Sequence, residues 1–384
     1  MSVSLNLNSS SQQSQGSGKA PGAGTSPECI ERLSRSLTIG LVNNMPDAAL
    51  EATERQFLAL LESASDGFSI RLSLHSLPGV ERNEWGAHHV SKYYSSVEKL
   101  RDQQIDALIV TGREPLSPNL ADEPYWESFT ALIEWARNNT YSSVWSCLAA
   151  HAAVLHMDGI CRVRNGHKYC GVFDCAQLSD HPLIAGAPES FNLPHSRWNG
   201  LPEDELTARG YRVLTRADGA GVDTFIKQDR SLFVFFQGHP EYEPHTLLLE
   251  YRRDVGRFLR GETEAYPILP RGYFDERTTV ALVAFQQRAM QRRDEALLTE
   301  LQQVLGAAEL QNNWQPTATC IYRNWLEYLS EQKRLRLEGK KAVAEAQSAV
   351  LPASHIAAAA DASRPVAYSA GLNQGQPPLI RATR

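Results

Sequence analysis

From residue 36 onward, short apolar runs alternate with amphipathic stretches. Leu37-Thr38-Ile39-Gly40-Leu41-Val42 is an apolar run that ends in a polar turn, Asn43-Asn44-Met45-Pro46-Asp47. From Glu51 to about Ser63, Phe57, Leu58, Leu60 and Leu61 can share one helical face. Ile70 to Leu77 and Ile105 to Val110 read as further strands, the second running into Thr111-Gly112. Trp126 to Asn138 reads as a helix on Phe129, Leu132, Ile133 and Trp135. Ser143 to Trp145 reads as a short strand leading through Cys147 into an Ala-rich helix, Ala149 to Leu155. Leu232 to Phe236 is another apolar run, and a helical pattern starts near Thr246.

Strand and helix in alternation predict an α/β fold, a flavodoxin-like, mostly parallel sheet with helices on both faces. In such sheets the ligand site lies at the carboxyl ends of the strands. That rule points to the loops after Val42, Val110, Trp145 and Phe236. From about Phe274 to Lys341 the pattern turns mostly helical and charged, with good helix formers and regular apolar spacing over Thr278 to Leu305. Trp325, Leu326 and Leu329 form an apolar stripe ahead of Lys333–Lys341, a charge run expected to be solvated. The division is therefore residues 1–35 as a disordered tail, 36–272 as the α/β domain, 273–344 as a helical extension packing on it, and 345–384 as a second disordered tail. Both tails are poor in large apolar groups and cannot offset their ordering entropy by burial.

Composition narrows the function. A net charge of −6 over 384 residues gives no concentrated basic surface for nucleic acid. No apolar run approaches the ~18 residues of a membrane span. The N-terminus lacks the pattern of a secretory signal, so a cytoplasmic protein is expected. Six cysteines are present. Cys161, Cys170 and Cys175 lie close together but lack C-x-x-C spacing, so no metal site is expected.

Cys147 stands where a strand turns directly into a helix, the setting of a nucleophile elbow. A helix N-terminus favours negative charge there and supplies N–H groups for an oxyanion. A lone cysteine is more often an inert core residue. His239 and Glu241 change the balance, because a nucleophile needs a base and the base needs an orienting acceptor. Both residues follow the Leu232–Phe236 strand in one His-Pro-Glu turn. Lys168, Ser196-Arg197 and Arg253 are further polar candidates; arginine suits a carboxylate because its planar fork grips both oxygens.

With these residues in view, the strand-to-Cys147 turn and Gly238-His239-Pro240-Glu241-Tyr242 resemble the class I glutamine amidotransferase-like fold. More narrowly, the chain resembles the homoserine O-succinyltransferase/O-acetyltransferase family. The resemblance is carried by Asn44-Met45-Pro46-Asp47; Leu108 to Gly112 with Tyr125-Trp126; Lys168 with Gly171-Val172-Phe173; Pro194-His195-Ser196-Arg197; Gly238 to Tyr242 with Arg253-Asp254; and Asn324-Trp325-Leu326. It runs from about Leu37 to Leu329, with a helical insertion near residues 275–312. It implies that Cys147 takes an acyl group from succinyl-CoA or acetyl-CoA as a thioester. His239 would be the base, oriented by Glu241, and L-homoserine or a similar hydroxy-amino acid such as L-serine the acceptor. Lys168, Ser196 and Arg253 would bind substrate. The acyl-CoA is a co-substrate, no further cofactor is implied, and a homodimer is possible.

Three positions depart from the family pattern. Leu148 stands where the family commonly has Trp, and Ala48 where it commonly has Lys. The turn after Gly112 reads Arg113-Glu114-Pro115-Leu116, and Leu116 aligns with the family's acyl-selecting position without matching its small or Glu states. A glutaminase of the same fold and an inactive regulatory relative are the competing readings.

Overall fold

The computed structural model describes residues 3–6 and 26–350. In chain order its elements open with β1 (Val3–Asn6), α1 (Pro27–Ser34), β2 (Ser36–Val42), α2 (Leu50–Ala64), β3 (Ser69–Ser76), α3 (Glu84–Tyr93) and β4 (Ser95–Ser96). There follow β5 (Ala107–Thr111), α4 (Trp126–Asn139), β6 (Ser142–Ser146), α5 (Leu148–Asp158), β7 (Val163–Gln177), β8 (Ser190–Gly200) and α6 (Glu203–Ala208). The short strands β9 (Arg212–Val213), β10 (Thr215–Ala217) and β11 (Gly221–Val222) lead to β12 (Thr224–Gln228), β13 (Leu232–Phe236) and α7 (Thr246–Leu259). The helices α8 (Glu276–Gln291), α9 (Leu297–Gly306) and α10 (Gln315–Val350) complete the described chain.

The main sheet runs β1-β3-β2-β5-β6-β13-β12-β9, with β4 beside β3. It is parallel from β1 to β13 and becomes antiparallel at β12 and β9. The central strands are buried on both faces and read as continuous apolar runs for that reason. Ala107 and Ile109 of β5 join one core with α2, α7 and the C-terminal helices; Leu108 and Val110 join the other with α4 and α5. The predicted α/β architecture and its strand positions are what the chain adopts.

A second, antiparallel sheet, β11-β10-β7-β8, has no counterpart in the sequence reading. Its long strand β7 mixes exposed Val163 with buried Cys170 to Phe173 and does not alternate cleanly. Period-2 patterning fails there because the strand bulges between Arg164 and Tyr169.

The N-terminal expectation is corrected in two places. Val3–Asn6 forms a parallel ladder with Ile70–Ser73, and α1 packs on α10 with Ile30 buried. A strand edge and a helix face supply the partners that composition alone did not reveal. Ser26 caps α1 by accepting from the Cys29 N–H at 3.2 Å. Residues 1–2 and 7–25 lie outside the described residues, as do residues 351–384 of the expected second tail.

The extension also differs in detail. The helical stretch Thr278–Leu305 divides into α8 and α9, broken where Asp294 accepts from the Ala296 N–H at 3.0 Å. Trp325, Leu326 and Leu329 of α10 are buried, and Trp325 Nε1 donates to Ser142 Oγ at 2.9 Å, beneath the central strand β6. Lys333 is not simply solvated: its Nζ binds Asp106 at 2.8 Å.

His75, at the end of β3, is fully buried. Burial drives its pKa down to about 4 against hydrogen bonds to backbone carbonyls. The folded state therefore holds it neutral, while the unfolded chain protonates near pH 6.5. Stability from this group is complete above pH 6.5 and is lost as pH falls towards 4. We expect urea unfolding to show a loss of roughly 3 kcal/mol over that window, reduced in His75→Gln. An unchanged pH slope in the variant would remove His75 as the cause.

Candidate active site

Cys147 caps α5 with φ 50° and ψ −109°, the one non-glycine residue of positive φ among the described residues. An L-residue there is strained and persists only when its surroundings fix it. The fixing contact is its own N–H, which donates to Phe236 O at 2.7 Å. The turn pushes the side chain out of the strand line. It also leaves the Leu148 and Ala149 N–H groups in the first turn of α5, where no helical carbonyl can accept from them.

The loop after β13 supplies the partner. His239 Nδ1 and Glu241 Oε1 lie 2.8 Å apart, and the Cys147 sulfur is near enough to act on the His239 charge. Burial opposes charge on His239, but Glu241 and the Cys147 sulfur outweigh it and hold the imidazole well above its ordinary range. A protonated imidazole beside the sulfur is what a thiolate needs. Ser146 Oγ donates to Glu241 Oε1 at 3.3 Å.

Tyr242 stacks on His239 with centroids 4.2 Å apart and donates its hydroxyl to Glu250 Oε1 at 2.7 Å. Glu250, on α7, also accepts from Ser196 Oγ. Lys168 Nζ lies 3.1 Å from Asp254 and 3.9 Å from Glu250. Burial opposes the Lys168 charge, but Glu250, the Cys170 sulfur and Asp254 outweigh it, keeping the ammonium above the usual range. Arg253 Nε donates to Asp254 Oδ1 at 2.8 Å. One polar chain thus links all six expected residues: Cys147, His239 and Glu241 directly, Ser196, Lys168 and Arg253 through Glu250 and Asp254.

A buried network braces the His239 loop from behind. Asp223 accepts from Thr215 Oγ1 at 2.8 Å, Thr224 Oγ1 at 2.7 Å and the Gly238 N–H at 3.1 Å, and lies 3.3 Å from His195 Nε2. A Cβ at Gly238 would sit 2.7 Å from Asp223 Oδ1, so only glycine lets the loop come this close. The His239 N–H donates to Pro194 O at 2.8 Å. Cys175, His195 and Asp223 place ligand-type atoms within 4.8 Å of one another. Both Asp223 oxygens are already engaged, and the Arg197 guanidinium, donating to His195 Nδ1 at 3.3 Å, opposes a cation there. The cluster reads as a hydrogen-bonded polar core.

Sequence reasoning missed Glu250, Asp254, Tyr242 and Asp223 as site residues. Glu250, Arg253 and Asp254 stand at i, i+3 and i+4 on one helix, a signal that was available. Asp223 lies between two short strands and carried none.

A cysteine on a strained turn after a central parallel strand, faced by a His-x-Glu turn from the neighbouring strand, is the constellation of a cysteine nucleophile with its base and orienting acceptor on an α/β sheet. The family described as Homoserine O-succinyltransferase matches residues 25–335. The chain is 48% identical over 298 residues to a homoserine O-succinyltransferase of Rhodopseudomonas palustris, covering 78% of this chain and 90% of the relative. It is 46% identical over 297 residues to one of Bradyrhizobium japonicum, covering 77% and 90%. A solved glutamine amidotransferase of Methylobacillus flagellatus aligns with 77% of this chain and 95% of its own at 16% identity and a TM-score of 0.44. The chain belongs to the homoserine O-succinyltransferase family.

Removing the Asp223 carboxylate leaves buried donors on Thr215, Thr224 and Gly238 without an acceptor. We expect Asp223→Ala to lower unfolding free energy by roughly 3 kcal/mol in urea titration. A loss below about 0.5 kcal/mol, the range of ordinary surface changes, contradicts the bracing role.

Proposed function

We propose that the chain transfers a succinyl group from succinyl-CoA to the hydroxyl of L-homoserine through a thioester on Cys147, a step towards methionine. The observation that carries this is the strained Cys147 facing His239, itself held 2.8 Å from Glu241. The relatives' names supply donor and acceptor.

The Cys147 thiolate attacks the thioester carbonyl, and the first-turn N–H groups of α5 stabilise the oxyanion. The carbon–sulfur bond to CoA breaks, and the departing CoA thiolate takes the proton from His239. Neutral His239 then removes the homoserine hydroxyl proton as that oxygen attacks the acyl-cysteine. The ester leaves, and the thiolate–imidazolium pair is restored. No further cofactor is needed for this exchange. Arg253 would hold the acceptor's carboxylate, while Glu250, which accepts from Ser196, takes its ammonium group and Lys168 steadies Glu250 and Asp254. Six free cysteines accord with a reducing, cytoplasmic setting. Val280, Val283 and Met290, exposed on α8, offer a surface for the homodimer that the family resemblance suggests.

Incubation with succinyl-CoA alone should give a succinyl adduct by intact mass, absent in Cys147→Ala. An adduct with acetyl-CoA instead would change the donor, and an adduct retained in Cys147→Ala would remove the nucleophile. Glu241→Ala should lower kcat by roughly 10²-fold or more with the fold intact; unchanged steady-state turnover would take Glu241 out of the mechanism.

A further inference from the structure

Beyond Glu250, α7 runs on to a basic cleft against α9. Arg253, Gly256 and Arg260 recur at i, i+3 and i+7, the spacing of one helical face. With Arg252, Leu298 and Gln302 they line a cleft of about 380 Å³, within the range of small-molecule sites. Gly256 is its floor. A Cβ there would come 3.2 Å from Arg260 Nη1 and 3.7 Å from Leu298 Cδ2, narrowing the space.

Three guanidinium groups converge here in a chain whose net charge is −6. Two carry carboxylate partners: Arg253 pairs with Asp254 at 2.8 Å, and Arg260 with Glu262 at 2.5 Å and Glu295 at 3.9 Å. The Arg260 pairs are exposed, and exposed pairs hold weakly. Arg252 is exposed and has no hydrogen-bond or ion-pair partner among the described residues. Arginine's fork suits phosphate oxygens, and a charge-assisted bidentate contact outweighs a solvated surface pair.

Position along the helix matters equally. Glu250 touches Ser196 and Tyr242 at the acyl-transfer site. Arg260 lies ten residues further, about 15 Å along the axis at the α-helical rise. That is the reach of an extended pantetheine arm.

We propose that this cleft binds the phosphorylated nucleotide end of the acyl-CoA, with Arg252 and Arg260 on its phosphates and Leu298 beside its base. The proposal rests on the acyl-CoA reading above. It places the nucleotide on α7 and α9 and the reacting thioester at Cys147, with Arg253 between them.

Two experiments test this. Single-turnover acylation of Cys147 is followed by intact mass with succinyl-CoA and with succinyl-pantetheine, which carries the same thioester without the nucleotide. The doubly substituted Arg252→Gln, Arg260→Gln protein should acylate from succinyl-CoA at least about 10-fold more slowly, and from succinyl-pantetheine within about twofold of wild type. Arg252→Lys, Arg260→Lys should recover part of the loss, because charge remains. Equal use of the two donors by wild type, or an equal loss with both in the Gln variant, overturns the proposal. Calorimetric titration with adenosine 3′,5′-bisphosphate reads the cleft without any acyl chemistry. Wild type should bind it at least about 10-fold tighter than the Gln variant; equal affinity overturns the cleft assignment. Failure of both donors to acylate wild type would count against the acyl-transfer reading alone, and the titration would still decide the cleft.

Discussion

The parallel pairing of β6 with β13 is the contact on which the site depends. Trp145 pairs with Phe235 and Ser146 with Phe236, so both strands end at the same level. The next residue of one is Cys147, whose N–H is held by the last carbonyl of the other. The chain leaving β13 reaches His239 three residues later. A slip of one residue would turn each strand's side chains to the opposite face. It would also separate the sulfur from the imidazole. The alternation of Leu232, Val234 and Phe236 into one core, and Phe233 and Phe235 into the other, makes such a slip costly.

The remaining parts hold that pair in register. Asp223 hooks Gly238 from behind, and Trp314 Nε1 donates to Tyr242 O at 3.0 Å from the C-terminal side. Trp325 reaches under β6, and Tyr322 stacks on Phe236. The helical extension is thus part of the site's support. α7 then connects chemistry to recognition, because it carries Glu250, Arg253 and Asp254 at i, i+3 and i+4, and Arg253 with its later turns lines the basic cleft.

What the sequence disclosed follows from the kind of information each element carries. Central strands such as Leu232–Phe236 are buried on both faces and announce themselves as unbroken apolar runs. Cys147 and His239 were legible because the parallel-sheet rule says where ligands bind, and because a nucleophile and its base must both be present. β7 was not legible, since a bulged strand half open to solvent shows neither period. β1 escaped because four residues in a polar tail become a strand only through backbone bonds to Ile70–Ser73. Asp223 escaped because its role exists only once Thr215, Thr224 and Gly238 are folded around it. Arg253 was expected at the site from the family resemblance, but its tie to Asp254 and its place beside a second cleft needed the helix in three dimensions.

The central claim is that His239 activates Cys147. Its most direct measurement is the rate of iodoacetamide alkylation at each cysteine near neutral pH, read by peptide mass spectrometry. Cys161 is the exposed internal reference. The account predicts that Cys147 reacts at least about 10-fold faster than Cys161, and that His239→Asn abolishes the difference. Equal rates at the two cysteines in the wild-type protein, or an undiminished Cys147 rate in the variant, would contradict it.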